Sequence, residues 1–315
     1  MQNQPSKNGG KVISLTRKLL AKNGAGRDRE PSVQVSSTRV VSVSSGKGGV
    51  GKTNIVANLA FSMSTAGLKV LVLDADLGLG NIDVLLGKAP RYNLSHVING
   101  DLQVADILIP GPGGMQILPA SSGVQDITAL TPAQRMRLIT SLDTVMDEAD
   151  ILLIDTAAGI SANVMYFNVS AHDILVLVTP EPTAITDAYA LMKVMRLKYG
   201  EDRFNVVVNM AASEREGEEV FRQLDLVSRR FLDISLEYCG HVPRDAALTT
   251  AVRRQSLVCD ISANAPVSQS IRDLADVILA MPAPKLPEGA GHHFWRYLLE
   301  EKFEKQQTTV RAEND

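Results

Sequence analysis

The segment from Gly46 to Thr53, with the sequence GKGGVGKT, constrains this chain more than any other feature. It follows a β-rich run at Arg39–Ser44 and opens a stretch with helical character at Thr53–Ala66. Glycines let backbone N–H groups turn toward an anion without Cβ clashes, and the N-terminus of a helix favours negative charge. The segment therefore predicts a phosphate-binding loop between a strand and a helix.

The residue types in this loop suit a bound nucleoside triphosphate. Lys52 offers a point charge to the β and γ phosphates, and Thr53 offers a hydroxyl to magnesium. Lys47 is redundant within one chain, so we expect it to reach a partner's nucleotide across a dimer interface, as an arginine finger does elsewhere. The alternative is a solvated loop lysine. The predicted nucleotide contacts here are Gly46, Lys47, Gly48, Gly49, Val50, Gly51, Lys52, Thr53 and Asn54.

Two carboxylates lie at the end of the second apolar run, Lys69–Asp74, where doubly wound sheets bind their ligands. Asp76 lies beyond the end of the strand and before a Gly-rich stretch. It is our candidate for orienting the attacking water and for holding a magnesium-bound water. Asp74 is expected to have a structural role. In the alternative interpretation, both acids only cap the strand.

A third apolar run, Ile151–Asp155, also ends in an acid. Asp155 is expected to hold magnesium through water, together with Thr53. Gly159, in the loop that follows, can bring a backbone N–H to the γ phosphate. The loops that carry Asp76 and Gly159 are therefore predicted to be nucleotide-dependent switches.

The nucleotide base is expected to contact residues late in the chain. Asn209 ends an apolar run, and its amide can pair with a donor and an acceptor on adenine; a turn-capping asparagine is the alternative. Pro243, Arg244 and Asp245 follow the last predicted strand and could form a wall for the base. No N-K-x-D segment is present, which argues against guanine. The predicted cofactors are ATP or ADP with Mg²⁺.

Apolar runs without alternation indicate strands that are buried on both faces, which requires a parallel sheet covered by helices. The order of strands and helices predicts a doubly wound α/β domain with a mainly parallel sheet of seven or eight strands. We divide the chain into a basic segment and linker at residues 1–38, this domain at 39–281, and a Pro-rich break with a tail at 282–315. The composition, with 45% hydrophobic and 21% charged residues, is typical of a globular protein and agrees with a folded domain of this kind.

Several classes of protein are disfavoured. A net charge of −3 and a pI near 6.0 give no support for nucleic-acid binding by charge alone. Cys239 and Cys259 form no C-x-x-C pair, which argues against a disulfide scaffold or a zinc site. No run approaches the roughly 18 apolar residues of a membrane span, and residues 1–10 do not look like a signal peptide. We expect a cytoplasmic protein.

Taken together, GKGGVGKT, DADLGLGN and IDTAAG resemble the MinD/ParA superfamily of deviant P-loop ATPases, of the SIMIBI class. The resemblance spans about residues 39–281. Three further stretches are similar to the flagellar-number regulators called FlhG or FleN: LPASSGVQD at 118–126, TPEPTAITDAYALMK at 179–193 and HVPRDAAL at 241–248. Asp76 and Lys47 both favour turnover, so we expect an enzyme that hydrolyses ATP to ADP and phosphate.

The resemblance implies a monomer without ATP and a homodimer with it, with Lys47 acting in trans and Asp76 as the catalytic switch acid. It implies peripheral attachment to the inner face of the cell membrane through a C-terminal amphipathic helix. It also implies control of flagellar number and placement, with an FlhF-type GTPase or a flagellar transcriptional activator as partner. No specific nucleic acid is expected.

Two segments depart from the family pattern. The N-terminal helix predicted within residues 11–22 keeps a basic, leucine-bearing character but lacks the Asp-Gln-Ala opening of members that stimulate FlhF. The tail at His292–Leu299 is rich in aromatics, but its apolar residues spread around more than half of a helical wheel. Attachment to a membrane and packing onto the protein's own surface both fit this tail.

Four competing functions share parts of this pattern. A MinD-type regulator of the division site would have the same site and cycle with a different partner. A ParA-type DNA-partitioning ATPase needs a basic surface, and an iron–sulfur carrier needs paired cysteines. A non-catalytic binding module that uses ATP only as a clamp would not need Asp76 and Lys47. Slow turnover and clamping are nevertheless compatible.

Overall fold

The computed structural model describes residues 38–76, 80–119 and 130–282. The N-terminal helix predicted within residues 11–22 and the tail beyond residue 282 lie outside these ranges, as do parts of the DADLGLGN and LPASSGVQD segments. The described chain forms one sheet of eight strands in the order β3-β4-β2-β5-β1-β6-β7-β8. The strands are β1 (Arg39–Ser45), β2 (Val70–Ala75), β3 (Ile109–Pro110), β4 (Gln116–Leu118), β5 (Ile151–Ala158), β6 (Asp173–Val178), β7 (Phe204–Ala211) and β8 (Leu236–Pro243).

All neighbouring strands pair in parallel except β3, which runs antiparallel to β4 at one edge. Every residue of β2 is buried, as are the first six of β5, in agreement with their continuous apolar sequence. The predicted doubly wound, mainly parallel sheet is therefore confirmed. Pro112–Gly114 form a 3₁₀ turn before β4, which begins at Gln116.

Helices cover both faces of the sheet. They are α1 (Lys52–Thr65), α2 (Ile82–Leu85), α3 (Leu94–Asn99), α4 (Val104–Ile107), α5 (Pro132–Met146), α6 (Ala162–Val169), α7 (Pro182–Tyr199), α8 (Glu214–Leu232), α9 (Ala246–Arg253), α10 (Val258–Ile261) and α11 (Pro266–Ala280). Thr131 caps α5, because its hydroxyl accepts a hydrogen bond from Gln134 N at 3.3 Å. No helix in the described part of the chain is long and apolar enough to cross a membrane.

Alternate residues of each strand contribute to opposite faces of the core. On β1, Val41 and Val43 pack with α1 and α11 on one face, while Val40 belongs to the cluster under α3, α5 and α6 on the other. A third cluster, under α6, α7 and α8, covers β6 and β7. Because β1, β2 and β5 are central neighbours, the loops at their carboxyl ends meet at one edge, and this edge carries the predicted phosphate site.

Candidate nucleotide-binding site

The loop Gly46–Gly51 connects β1 to α1 with a backbone that few residues other than glycine adopt. Gly49 and Gly51 have φ of 79° and 93°, in the left-handed region. Gly46 has no room for a side chain, because a Cβ there would lie 2.0 Å from the carbonyl oxygen of Asp187 on α7. The loop therefore packs against the N-terminal half of α7. It runs directly into the N-terminus of α1.

Lys52, at the first turn of α1, is buried beneath this loop. Its Nζ donates to Ser45 Oγ at 2.9 Å. Burial lowers the pKa of Lys52, and the charges of Asp155 and Asp76 act in the opposite direction. A lysine ammonium with few protein partners is a strong binding group for phosphate oxygens.

Asp155 and Asp74 are direct neighbours in the sheet, since β2 and β5 pair them in register. Each is 2% exposed. The pKa of Asp155 is raised to about 7, mainly by burial and also by the charge of the nearby Asp74, while a hydrogen bond from Thr53 and the charge of Lys52 act against this shift. Burial likewise raises the pKa of Asp74 to about 6, against three backbone hydrogen bonds.

The donor set around Asp155 fits a magnesium ion. Asp155 Oδ1 is buried without a hydrogen-bond partner in the described part of the chain, which is costly for a carboxylate that binds nothing. The Thr53 hydroxyl bonds to the same carboxylate. Carboxylate and hydroxyl oxygens are the ligands that magnesium prefers beside nucleotide phosphates.

Asp74 organises the loop that carries Asp76. Its carboxylate accepts hydrogen bonds from the backbone N–H groups of Asp76 at 3.2 Å, Asn81 at 2.9 Å and Ile82 at 3.1 Å. These bonds hold both ends of the loop at the carboxyl edge of β2. Asp76 is half-buried there, and its charge acts on both Lys52 and Asp155.

Gly159 lies next to the phosphate loop, with φ of 94°. Its N–H donates to the carbonyl of Ser45 at 2.9 Å. A contact from this N–H to a γ phosphate therefore requires exchange of the bond to Ser45. Below the loop, Ser44 Oγ bonds to Thr156 Oγ1 at 2.6 Å and donates to Asn168 Oδ1 at 2.8 Å, which ties β1 to β5 and α6.

Lys47 is held within its own chain. Its Nζ lies 2.7 Å from Glu181 Oε2 and 2.9 Å from Thr183 Oγ1, at the N-terminus of α7. The hydrogen bond and charge of Lys47 lower the pKa of Glu181, and the charge of Arg244 adds to this effect. Neither Glu181 nor Thr183 was expected from the sequence as a partner of Lys47.

Asn209 lies against the phosphate loop. Its Nδ2 donates to the carbonyl of Val50 at 2.7 Å, and its Oδ1 accepts from Met210 N at 2.9 Å. The side chain is 1% exposed, and a Cβ on Gly51 would lie 2.6 Å from its amide nitrogen. In this structure Asn209 braces the loop, and a contact to adenine stays a prediction.

Pro243, Arg244 and Asp245, at the end of β8, have different surroundings. Asp245 is engaged in the fold, because its carboxylate caps α9 at Ala247 N (2.8 Å) and accepts from Val267 N at 3.3 Å. Arg244 is exposed, near Glu181. Pro243 ends β8, beside Ala211. The wall that these residues could form for the base stays a prediction.

Other residues at the site carried weak sequence signals. Ser45 contacts Lys52 through its hydroxyl and Gly159 through its carbonyl, yet it reads as the last residue of a strand. Asn54 was expected at the nucleotide from its position after Thr53, and its Oδ1 is buried without a partner in the part of the chain described. Glu181 lies within TPEPTAITDAYALMK, so a charged pair with a loop lysine could have been suspected only from that family-like stretch.

Comparison with known proteins gives the family. A sequence profile described as an AAA domain matches residues 38–206. The antiactivator FleN of Pseudomonas aeruginosa is 42% identical over 262 residues, which cover 83% of this chain and 94% of FleN. The flagellum site-determining protein YlxH of Helicobacter pylori is 32% identical over 267 residues, covering 84% and 90%.

Solved structures agree on the fold. A chain of the MinC:MinD cell division protein complex of Aquifex aeolicus superposes with a TM-score of 0.63 and 26% identity, covering 79% of this chain and 99% of that one. MinD of Pyrococcus horikoshii, complexed with Mg-ADP, superposes with a TM-score of 0.62 at 24% identity, covering 76% and 96%. The chain belongs to the MinD/ParA-type P-loop ATPases, with similarity to the antiactivator FleN and to the flagellum site-determining protein YlxH.

Proposed function

We propose that this ATPase is an ATP-dependent dimerising switch that restricts the number and placement of flagella. The observation that carries the proposal is the 42% identity to FleN across nearly the whole length of both chains. An assembled phosphate site, with Lys52, Thr53 and Asp155 together at the sheet edge, supports ATP as the ligand that drives the switch.

In the proposed reaction, Lys52 would bind the β and γ phosphates, and Thr53 with Asp155 would hold magnesium. Magnesium, when bound, neutralises part of the charge on the phosphate oxygens. Asp76 orients the attacking water, and its loop is fixed by the bonds to Asp74. The reaction products are ADP and phosphate, and the useful output is the change in conformation and oligomeric state.

Dimerisation is proposed to depend on Lys47. In a single chain, Glu181 and Thr183 hold its ammonium at 2.7 and 2.9 Å. In the ATP-bound dimer it would leave these partners and offset the charge of the γ phosphate in the other chain. This exchange makes dimer formation sensitive to the presence of the γ phosphate.

The dimer is proposed to act in the cytoplasm and at the inner face of the cell membrane, where it would meet an FlhF-type GTPase or a flagellar transcriptional activator. The name antiactivator, given to the P. aeruginosa relative, favours the activator as partner. A division-site role like that of MinD is the second candidate, favoured by the fold likeness to the MinC:MinD complex.

Flagellar counts separate these two functions. The chain is expressed in P. aeruginosa lacking its own FleN, and flagella are counted by electron microscopy while cell length is measured. We expect the chain, but not Lys52→Ala, to reduce the number of flagella toward that of the parent strain. Unchanged counts with a stably expressed protein would refute the flagellar role, and a change in cell length alone would favour the division role.

The nucleotide cycle is tested separately in vitro. Light scattering of Asp76→Ala should give a dimer with ATP and a monomer with ADP, because turnover is blocked while the phosphate contacts remain. Lys47→Ala should bind ATP without forming the dimer. An Asp76→Ala protein that stays monomeric in saturating ATP would contradict the proposed cycle.

A further inference from the structure

Three buried polar side chains lie together beneath the phosphate site, on the side of the sheet that α6 covers. Ser44 on β1, Thr156 on β5 and Asn168 on α6 are each at most 2% exposed. The Thr156 hydroxyl lies 2.6 Å from Ser44 Oγ, and Ser44 Oγ donates to Asn168 Oδ1 at 2.8 Å. The ATPase reaction proposed above gives no role to these three residues, which are named here the polar cluster.

The hydrogen bonds of the polar cluster run in one direction. Ser44 has a single hydroxyl hydrogen, which goes to Asn168, so the hydrogen between the two hydroxyls comes from Thr156. The chain of bonds ends at Asn168, whose Nδ2 is buried without a hydrogen-bond partner in the described part of the protein. A buried donor that is left unpaired lowers stability. The polar cluster is therefore not arranged for stability alone.

The polar cluster lies where the pairing of β1 with β5 becomes irregular. Val43 pairs with Asp155, and the next regular pair joins Ser45 to Ala158, so β5 has one residue more than β1 in this interval. A bulge of this kind interrupts the ladder of backbone hydrogen bonds and redirects the strand. The Thr156 hydroxyl lies inside the bulge, 3.0 Å from the Val43 carbonyl and 3.1 Å from the carbonyl of the next residue. Side-chain hydrogen bonds therefore join the two strands where their backbone pairing is interrupted.

The residues next to the polar cluster in sequence carry the phosphate site on the opposite face of the sheet, because successive side chains of a strand alternate between its faces. Asp155, the residue before Thr156, faces α1 and the charge of Lys52. Ser45, the residue after Ser44, accepts a hydrogen bond from the same lysine at 2.9 Å. The polar cluster faces α6 and so does not contact the nucleotide side of the sheet. It can act only by fixing the backbone that carries Asp155 and Ser45.

We propose that Ser44, Thr156 and Asn168 are positioning residues for the Asp155 carboxylate. Their hydrogen bonds fix the bulge of β5 against β1 and α6, and this holds the carboxylate in place beside the Thr53 hydroxyl. Groups that orient a metal ligand from behind change metal affinity by roughly tenfold or more when they are removed. The inference rests on the proposed function, because it takes Asp155 and Thr53 as the residues that hold magnesium.

The test measures how much magnesium improves the binding of ADP. Titration calorimetry on the full chain gives the dissociation constant of ADP in EDTA and in Mg²⁺, and the ratio of the two is the magnesium gain. Thr156→Val keeps the shape of the side chain and removes its hydroxyl. We expect the magnesium gain to fall severalfold in this variant, with little change in the affinity for ADP in EDTA. Thr156→Ser keeps the hydroxyl and should preserve the gain.

Two further variants test whether the polar cluster acts as a unit. Asn168→Leu removes the acceptor at the end of the chain of bonds and should also lower the magnesium gain. The double variant of Thr156→Val with Asn168→Leu should lose no more than the larger of the two single losses, because both changes break the same chain. Ser42→Ala is the matched control, since Ser42 is fully buried on the same strand and its hydroxyl has no partner among the described residues. Its magnesium gain should equal that of the wild type.

The outcomes separate this inference from the proposed function. A wild-type protein that binds ADP equally well with and without magnesium would contradict the proposed magnesium site itself. A clear gain in the wild type that persists unchanged in Thr156→Val would overturn the positioning role alone. Equal losses of affinity in EDTA and in Mg²⁺ would also overturn it, because they indicate a general disturbance of the phosphate site. Circular dichroism shows whether each variant is folded, and Ser44→Ala gives the same test if Thr156→Val does not fold.

Discussion

Replacing Asn209 with alanine distinguishes bracing of the phosphate loop from recognition of the base. The substitution removes the hydrogen bond to the Val50 carbonyl at 2.7 Å and the bond from Met210 N at 2.9 Å. Each is worth about 1 kcal/mol net, and an orphaned buried carbonyl adds to the loss, so the free energy of unfolding should fall by about 2–3 kcal/mol. For a domain of this size that corresponds to a drop in Tm of roughly 4–10 °C.

The ligand assay uses ATP and inorganic tripolyphosphate, which has no base. If Asn209 braces the loop, its loss weakens the phosphate contacts, and both affinities should fall by the same factor. If Asn209 reads adenine, only the affinity for ATP should fall.

Asn205→Ala is the matched control for this experiment. Asn205 lies on the same strand, is half-buried, and its Nδ2 donates a long hydrogen bond, 3.4 Å, to the Ile174 carbonyl. We expect its loss to cost less than about 1 kcal/mol and to leave both affinities unchanged. The bracing argument would be refuted by an Asn209→Ala protein that is as stable as the wild type and has lost affinity for ATP alone.

Three further predictions test the site. Burial raises the pKa of Asp155 to about 7 from 3.8, so the folded chain keeps a proton that the unfolded chain releases, and stability falls as the pH rises from about 4 to about 7. Asp155→Asn should therefore stabilise the nucleotide-free protein at pH 8, by on the order of 3 kcal/mol in urea unfolding, with no gain near pH 4. Gly46→Ala should abolish ATP binding in a titration while Gly49→Ala, which has open space for a Cβ, only weakens it, because the new methyl at Gly46 meets backbone atoms of α7. Glu181→Gln should shift dimerisation, followed by sedimentation, to lower ATP concentration, because Lys47 is released; an unchanged midpoint would remove Glu181 as a competitor for Lys47.

The fold could be predicted from sequence because its strongest signals are local and repeated. The continuous apolar runs at β2, β5 and β6 indicate buried parallel strands, and the helices between them keep apolar faces. The short helices α2, α3 and α4 were missed, since each has six residues or fewer and is stabilised by packing rather than by periodicity. The antiparallel β3 has only two residues, so no pattern could reveal it.

The candidate site was predictable only where one motif carries the chemistry. The phosphate loop could be identified from sequence because its glycines, its lysines and a threonine hydroxyl occur together within eight residues. The partners of Lys47 lie more than 130 positions away, and the alignment of Asp74 with Asp155 depends on the order of strands in the sheet. Such contacts between distant segments cannot be inferred from a single sequence. Asn209 could be identified from its place at the end of an apolar run, but its hydrogen bond to Val50 could not.

Asp74 explains how the state of the phosphate site can reach the Asp76 loop. Its carboxylate lies beside Asp155 in the sheet and accepts three N–H groups of that loop, so it experiences the charge at the site and fixes the loop with the same two oxygens. Burial and the charge of Asp74 raise the pKa of Asp155, whereas burial and the charge of Asp76 raise the pKa of Asp74. A cation that binds among these acids and the phosphates favours the ionised form of each carboxylate. An ionised Asp74 accepts hydrogen bonds more strongly than a protonated one. Binding at Asp155 should therefore tighten the loop that positions Asp76.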